Sequence, residues 1–154
     1  MKKVLLLCSS TDGQTRKICD RLRRMMQDAG DEVTLAMIED ARELSPAGFQ
    51  MAVIGARIRY GRTDARVIEY ANRHAAVLNA MPSAYFSVNV VARKPEKSRP
   101  ETNPYVQAFV RRTFAGCKLD FAAPVLIECF ARKGSAKCSA VFRKQRLYRR
   151  THRA

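Results

Sequence analysis

The first sixteen residues constrain this chain most. The apolar run Val4-Leu5-Leu6-Leu7 breaks at Cys8 into Ser9-Ser10-Thr11-Asp12-Gly13-Gln14-Thr15, and a helical pattern opens at Arg16. A short apolar run bounded by turn residues reads as a buried strand, so the order is strand, hydroxyl-rich loop, helix. At such a junction a phosphate meets the unpaired N–H groups and the positive dipole end of the helix, with side-chain hydroxyls as further donors. Gly13 lets the backbone approach closely. The same residue types also serve as ordinary helix caps. Their place after the first strand favours a ligand, because open α/β sheets bind at that edge. Neither G-x-G-x-x-G nor G-x-x-x-x-G-K-[ST] is present, so the dinucleotide fingerprint and the Walker-type loop do not fit.

The rest of the chain alternates strands with helices. Ile18, Leu22, Met25 and Met26 recur at helical spacing up to Gly30, which makes an amphipathic helix whose methionines pack rather than hold a cofactor. Val33 to Ile38 make a second strand, and Ser45-Pro46 with Gly48 mark a break before a third at Met51 to Gly55. Ala56 to Arg62 are expected as the next strand-to-helix loop, with Tyr60-Gly61 at the mouth of the sheet. There a tyrosine can stack on a flat ring or pack on its own loop. Val67, Ile68, Ala71, Ala75 and Leu78 stripe one helix, Pro82 to Asn89 form a fourth strand, and Pro104 to Phe114 form a helix with Val106, Phe109 and Val110 inward. Pro124 to Phe130 can supply a fifth strand. This alternation implies parallel βαβ units in an α/β doubly wound sheet. The segment 90–103, VVARKPEKSRPETN, is long for a compact domain, and loops of that length tend to carry function or to be disordered.

A length of 154 residues suits a single domain, 1–154, with a real core. The net charge of +15 invites nucleic acid, anionic lipid or polyanionic small molecules. Residues 117–154 carry ten of the basic side chains against only Asp120 and Glu128. They show no nucleic-acid motif and few aromatics beyond Phe142 and Tyr148, so no specific nucleic-acid partner is expected. No apolar run is long enough to span a membrane, and Met1-Lys2-Lys3 leads straight into a strand, which argues against a secretory signal. The five cysteines form no CxxC pair and the histidines are only His74 and His152. No metal site is expected, and the thiols are expected to be reduced in the cytoplasm.

Three strings taken together, the loop at Ser9 to Thr15, IGARIRYG at 54–61 and MPSAYFSVNVVARKPEK at 81–97, resemble the flavodoxin-like, quinone-dependent protoporphyrinogen IX dehydrogenases of bacteria. The third is the specific one, since an ordinary flavodoxin shares the first loop without the long basic insertion. The resemblance covers residues 3–115. It implies a flavodoxin-like three-layer αβα sandwich with strand order 2-1-3-4-5, non-covalent FMN, and oxidation of protoporphyrinogen IX to protoporphyrin IX in heme biosynthesis. It also implies menaquinone or ubiquinone as acceptor, at the cytoplasmic face of the inner membrane. Homo-oligomer formation is left open.

On this resemblance the FMN phosphate would sit on Ser10, Thr11, Asp12, Gly13, Gln14 and Thr15, with the Asp12 carboxylate turned onto neighbouring N–H groups. Arg59, Tyr60, Gly61, Ser87, Val88, Asn89 and Val90 would border the flavin ring and tune it through backbone amides. The flavin carries the chemistry, so no catalytic side chain is expected. Arg93, Lys94, Lys97 and Arg99 would face the substrate's propionates, an anionic membrane surface, or only solvent. A flavodoxin-like electron carrier and an NAD(P)H:quinone reductase are the rival readings; the basic loop speaks against the carrier, a class that is commonly acidic.

The chain departs from the family at Cys8, where an aromatic residue is usual, and at Arg57, where a small hydroxyl residue is usual. From Gly116 onward the resemblance stops. The basic tail at 131–154 reads as a divergent terminal helix striped by Val141, Phe142 and Leu147, or as a changed reading frame; the joint shift in charge and cysteine content favours the latter.

Overall fold

The computed structural model describes residues 1–89, 94–97, 102–112 and 125–131, the side chains of 110–112 and 125–131 excepted. At its centre is β1 (Lys3–Cys8), buried along Val4 to Cys8. A strand covered on both faces reads as a continuous apolar run, which is why Val4 to Leu7 do not alternate with polar residues. β1 pairs in parallel with β2 (Glu32–Met37) on one side and β3 (Met51–Arg59) on the other, so Leu6 lies between Leu35 and Val53. The two-residue β4 (Arg62–Thr63) folds back antiparallel on β3. β3 also pairs in parallel with β5 (Ser83–Asn89), and β5 with β6 (Val125–Ala131). The order β2-β1-β3-β5-β6 is the expected 2-1-3-4-5 once β4 is set aside.

Helices cover both faces, as the alternation of side chains along parallel strands requires. On one face α1 (Gln14–Asp28) brings Ile18, Cys19 and Met26 onto Val4, Leu6, Cys8, Val53 and Phe86. On the other, α2 (Ala65–Arg73), α3 (Ala75–Ala80) and α4 (Pro104–Arg112) bring Val67, Tyr70, Leu78, Val106 and Phe109 onto Leu5, Leu7, Ile54 and Tyr85. Tyr85 and Phe109 stack with centroids 3.8 Å apart and ring planes 2° from parallel. Gly55 sits under Phe86, and a Cβ there would collide with the ring, so the central strand needs glycine at that point.

Three expectations are corrected. Ala56 to Arg62 are not an open loop, because β3 runs on to Arg59 and returns at once through β4. Ile58 faces Thr63, and the turn residues Tyr60 and Gly61 both have positive φ, 50° and 70°. Positive φ at both central residues is the type I′ requirement, and that turn's twist matches a strand pair. The stripe from Val67 to Leu78 is two helices, broken at His74, whose φ and ψ of −110° and 19° leave the helical region. α1 starts at Gln14 rather than Arg16, because Gly13 supplies a left-handed cap with φ of 85°. The helix expected from Pro104 to Phe114 is present from Pro104 to Arg112, and its last two residues lie outside the described residues.

Candidate functional site

Because β1, β3 and β5 are parallel and in register, with Cys8 beside Gly55 and Gly55 beside Phe86, their C-terminal ends share one edge of the sheet. The loop after β1, the β3–β4 turn and the end of β5 therefore converge, as expected for an open α/β sheet. Ser10 to Thr15, Arg59 to Gly61, and Asn89 all leave the sheet at this edge. Ser87 and Val88 lie deeper, paired to Ala56 and Arg57 on one side and to Cys129 and Phe130 on the other. Their amides belong to the ladder, and Asn89, past the end of the pairing with β3, is still paired to Ala131 on β6. Val90, Arg93 and Arg99 lie outside the described residues, as does the tail beyond Ala131.

The loop after β1 is organised from within. The Gly13 N–H donates to Ser10 Oγ at 3.1 Å, and the Gln14 N–H donates to Asp12 Oδ1 at 3.3 Å, which turns that carboxylate onto its own turn. The first intrahelical bond is Lys17 N–H to the Gly13 carbonyl at 3.0 Å, so the amides before it point out of the helix start. No acidic side chain occupies the first turn of α1 to offset the dipole. Thr15 is buried beneath the loop, and Thr11 and Asp12 are exposed.

Beneath this loop lies a charged cluster that sequence reasoning missed. Ser9 is fully buried; its N–H donates to the Gly55 carbonyl at 2.8 Å and its hydroxyl donates to Asp64 Oδ2 at 2.7 Å. Asp64 also caps α2, accepting from the Arg66 N–H at 3.1 Å, and its two oxygens are held by Arg66 Nε at 3.0 Å and Nη2 at 2.7 Å. Arg66 reaches Glu39 at 3.1 Å, while Arg57 approaches Asp64 only to 3.6 Å. Burial alone would raise the Asp64 carboxyl, but the hydrogen bonds from Arg66 and Ser9 outweigh it and hold the group at about 2. An N-cap signature was legible, since Asp64 stands just before the apolar pattern at Val67; nothing in the sequence linked it to Ser9.

At the rim the β3–β4 turn holds Tyr60 almost fully in solvent, 88% exposed, with the Arg59 guanidinium 5.3 Å from its ring centre. A tyrosine at positive φ on a tight turn, with its ring uncovered, is an apolar platform at the mouth of the site. Beyond β5, Asn103 ties the basic loop to the sheet: its amide donates to Asn89 Oδ1 at 3.2 Å and to the Lys97 carbonyl at 2.9 Å. Its carbonyl oxygen caps α4, accepting from Tyr105 and Val106 N–H at 3.1 and 3.3 Å. Asn89 in turn donates to Ser87 Oγ at 3.0 Å. Lys94 is exposed and Lys97 half-buried on the 3-10 turn Pro95–Lys97. Cys8 and Cys19 are free thiols inside the α1 layer, close enough to hydrogen-bond, which favours the Cys8 thiolate at the expense of Cys19.

Comparison with known proteins places this arrangement. A family profile described as "Flavodoxin domain" matches residues 5–136, extending beyond Gly116. The chain is 43% identical over 108 residues to the protoporphyrinogen IX dehydrogenase [quinone] of Escherichia coli strain K12, a match covering 70% of this chain and 60% of that protein. It is 38% identical over 112 residues to the Leishmania major protein of the same name, covering 72% of this chain and 48% of that one. The chain thus spans less than two thirds of the length of the curated relatives it matches. Among solved structures, an archaeal flavodoxin superposes with a TM-score of 0.61 at 11% identity, covering 88% of this chain and 87% of that one. Flavodoxin 1 from Bacillus cereus gives 0.56 at 13%, covering 85% and 86%.

Proposed function

The chain belongs to the flavodoxin-domain family, and from that premise we propose that it is an FMN-dependent protoporphyrinogen IX dehydrogenase. Its electrons would go to a quinone, menaquinone or ubiquinone. The observation that carries the reading is the 43% identity over 108 residues to a protein of that activity. The residues present fit FMN. The loop Ser10 to Thr15 ends at a helix start with a left-handed Gly13, where the Gly13 and Gln14 amides already present themselves to oxygen acceptors, Ser10 Oγ and Asp12 Oδ1, which suits a phosphate. The exposed ring of Tyr60 and the edge at Asn89 suit a flat heterocycle beside them.

Bound there, FMN supplies the hydride chemistry and the relay of electrons. The chain's own part is to bind and orient. Backbone donors of Gly13, Gln14 and Thr15 would hold the phosphate, the first two exchanging Ser10 Oγ and Asp12 Oδ1 for its oxygens, with the Ser10 and Thr11 hydroxyls beside them. Arg59, Tyr60 and Gly61, with Ser87, Val88, Asn89 and Val90, would hold the ring. The half-buried Lys97 and exposed Lys94, with Arg93 and Arg99, meet either the propionates of the substrate or anionic lipid head groups where the quinone resides. With a quinone as acceptor and basic side chains on the loop after β5, we propose a peripheral protein at the cytoplasmic face of the inner membrane; no helix among the described residues is long and apolar enough to cross a membrane.

The test is an absorption titration with FMN followed by protoporphyrinogen IX and a soluble quinone. Stoichiometric binding and quinone-dependent growth of porphyrin fluorescence support the reading. Flavin binding without porphyrinogen oxidation refutes the dehydrogenase and leaves an electron carrier or a quinone reductase.

A further inference from the structure

We propose that Arg57 is a specificity-determining residue of the same loop, its guanidinium pairing with the cofactor's phosphate so that the site selects the phosphorylated flavin over the unphosphorylated one. This rests on the reading of Ser10 to Thr15 as the phosphate cradle. Arg57 is fixed to the root of that loop, since its N–H donates to the Ser9 carbonyl at 3.2 Å. It follows Val53 and Gly55 along β3 on the face that carries α1, the helix whose start forms the cradle.

The guanidinium is electrostatically under-used where it sits. Its side chain is only 24% exposed, and its Nε is buried without a hydrogen-bond partner among the described residues. The 3.6 Å approach to Asp64 is longer than a hydrogen bond, and both carboxylates of the cluster are committed to Arg66, at 2.7 Å from Asp64 and 3.1 Å from Glu39. Arg16, the other arginine beside the loop, is turned along the helix, with Nε 3.4 Å from Asp20 and Nη1 3.4 Å from the Met37 sulfur. A half-buried cation with an orphan N–H costs free energy unless an acceptor arrives. A phosphate offers several oxygens in the geometry a guanidinium fork matches, and a lysine would meet it only as a point charge.

The experiment titrates wild type, Arg57→Ser and Arg57→Lys with FMN and with riboflavin, reading flavin fluorescence, and checks each fold by urea unfolding. Wild type is expected to prefer FMN. Arg57→Ser should lose about 10- to 100-fold in FMN affinity, the worth of one charge-assisted hydrogen bond, with riboflavin affinity unchanged. Arg57→Lys should fall between them, and it decides the matter alone if Arg57→Ser does not fold. Equal losses for both flavins overturn the proposal, because they mean that Arg57 acts only through Asp64 and the loop. An unchanged FMN affinity overturns it as well. Failure of the wild type to bind either flavin sinks the underlying reading of the site, a result distinct from wild-type binding that Arg57 does not influence.

Discussion

Asp64→Ala should cost about 2–4 kcal/mol of folding stability. Losing the N-cap of α2 accounts for about 1 kcal/mol. The Ser9 hydroxyl, fully buried with Asp64 as its acceptor at 2.7 Å, is then left without a partner. An unsatisfied buried group of that kind costs about 1–3 kcal/mol. The ion pair with Arg66 adds little, since that side chain is 46% exposed and its pairing is screened. Asp64→Asn separates charge from cap, because asparagine caps a helix as well as aspartate. The carboxyl sits at about 2 in the folded protein, below its ordinary 3.8. A group depressed on folding gives its full stabilisation above the unfolded value and loses it as pH falls through the folded one. The gap between wild type and Asp64→Asn should therefore be widest at neutral pH and narrow below about pH 4. Urea midpoints at a series of pH values measure both. A gap that stays constant into acid, or an Asp64→Ala cost within the about 0.5 kcal/mol typical of inert surface positions, would refute the role assigned to Asp64.

Gly55→Ala should destabilise by about 1–3 kcal/mol through overpacking against Phe86, and Gly55→Ala combined with Phe86→Leu should recover much of it; urea unfolding of the two variants decides. Tyr60→Gly should raise the stability of the flavin-free protein by up to about 1 kcal/mol, because a side chain at φ of 50° is strained, while weakening FMN binding through loss of the platform. Thermal unfolding without ligand and a flavin titration read the two effects, and a Tyr60→Gly variant that binds FMN as tightly as wild type would dismiss the platform. Asn103→Ala should cost about 2 kcal/mol and speed tryptic cleavage after Lys97, whose carbonyl it releases; an unaltered digestion rate would show that Asn103 does not tether the basic loop.

The repeated switch between strand and helix periods made the layers legible, and the apolar runs at Val4 to Leu7 and Met51 to Gly55 marked the strands buried on both faces. The strand-to-helix loop at Ser9 to Thr15 was legible because its signals are local: glycine, hydroxyls and a helix start lie within seven consecutive residues. The roles of Asp64 and Asn103 were not, for one reason. Ser9 and Asp64 are 55 residues apart, and Asn89 and Asn103 are 14 apart, so their pairing exists only once the sheet has set the register. The β3–β4 turn escaped because Tyr60-Gly61 lacks the Asn-Gly or Asp-Gly pair that usually announces a type I′ turn. The break at His74 escaped because the apolar stripe continues through it, from Ala71 to Leu78.

The Ser9–Asp64 bond joins the opening of one βαβ unit to the opening of the next. Its acceptor caps α2 with the same carboxylate, so fraying of that helix end and loosening of the loop after β1 are one event and not two. A ligand seated on Ser10 to Thr15 would then protect amides it never touches: hydrogen exchange at Arg66, whose N–H Asp64 accepts, should slow when the loop is occupied, in step with the protection of Gly13 and Gln14.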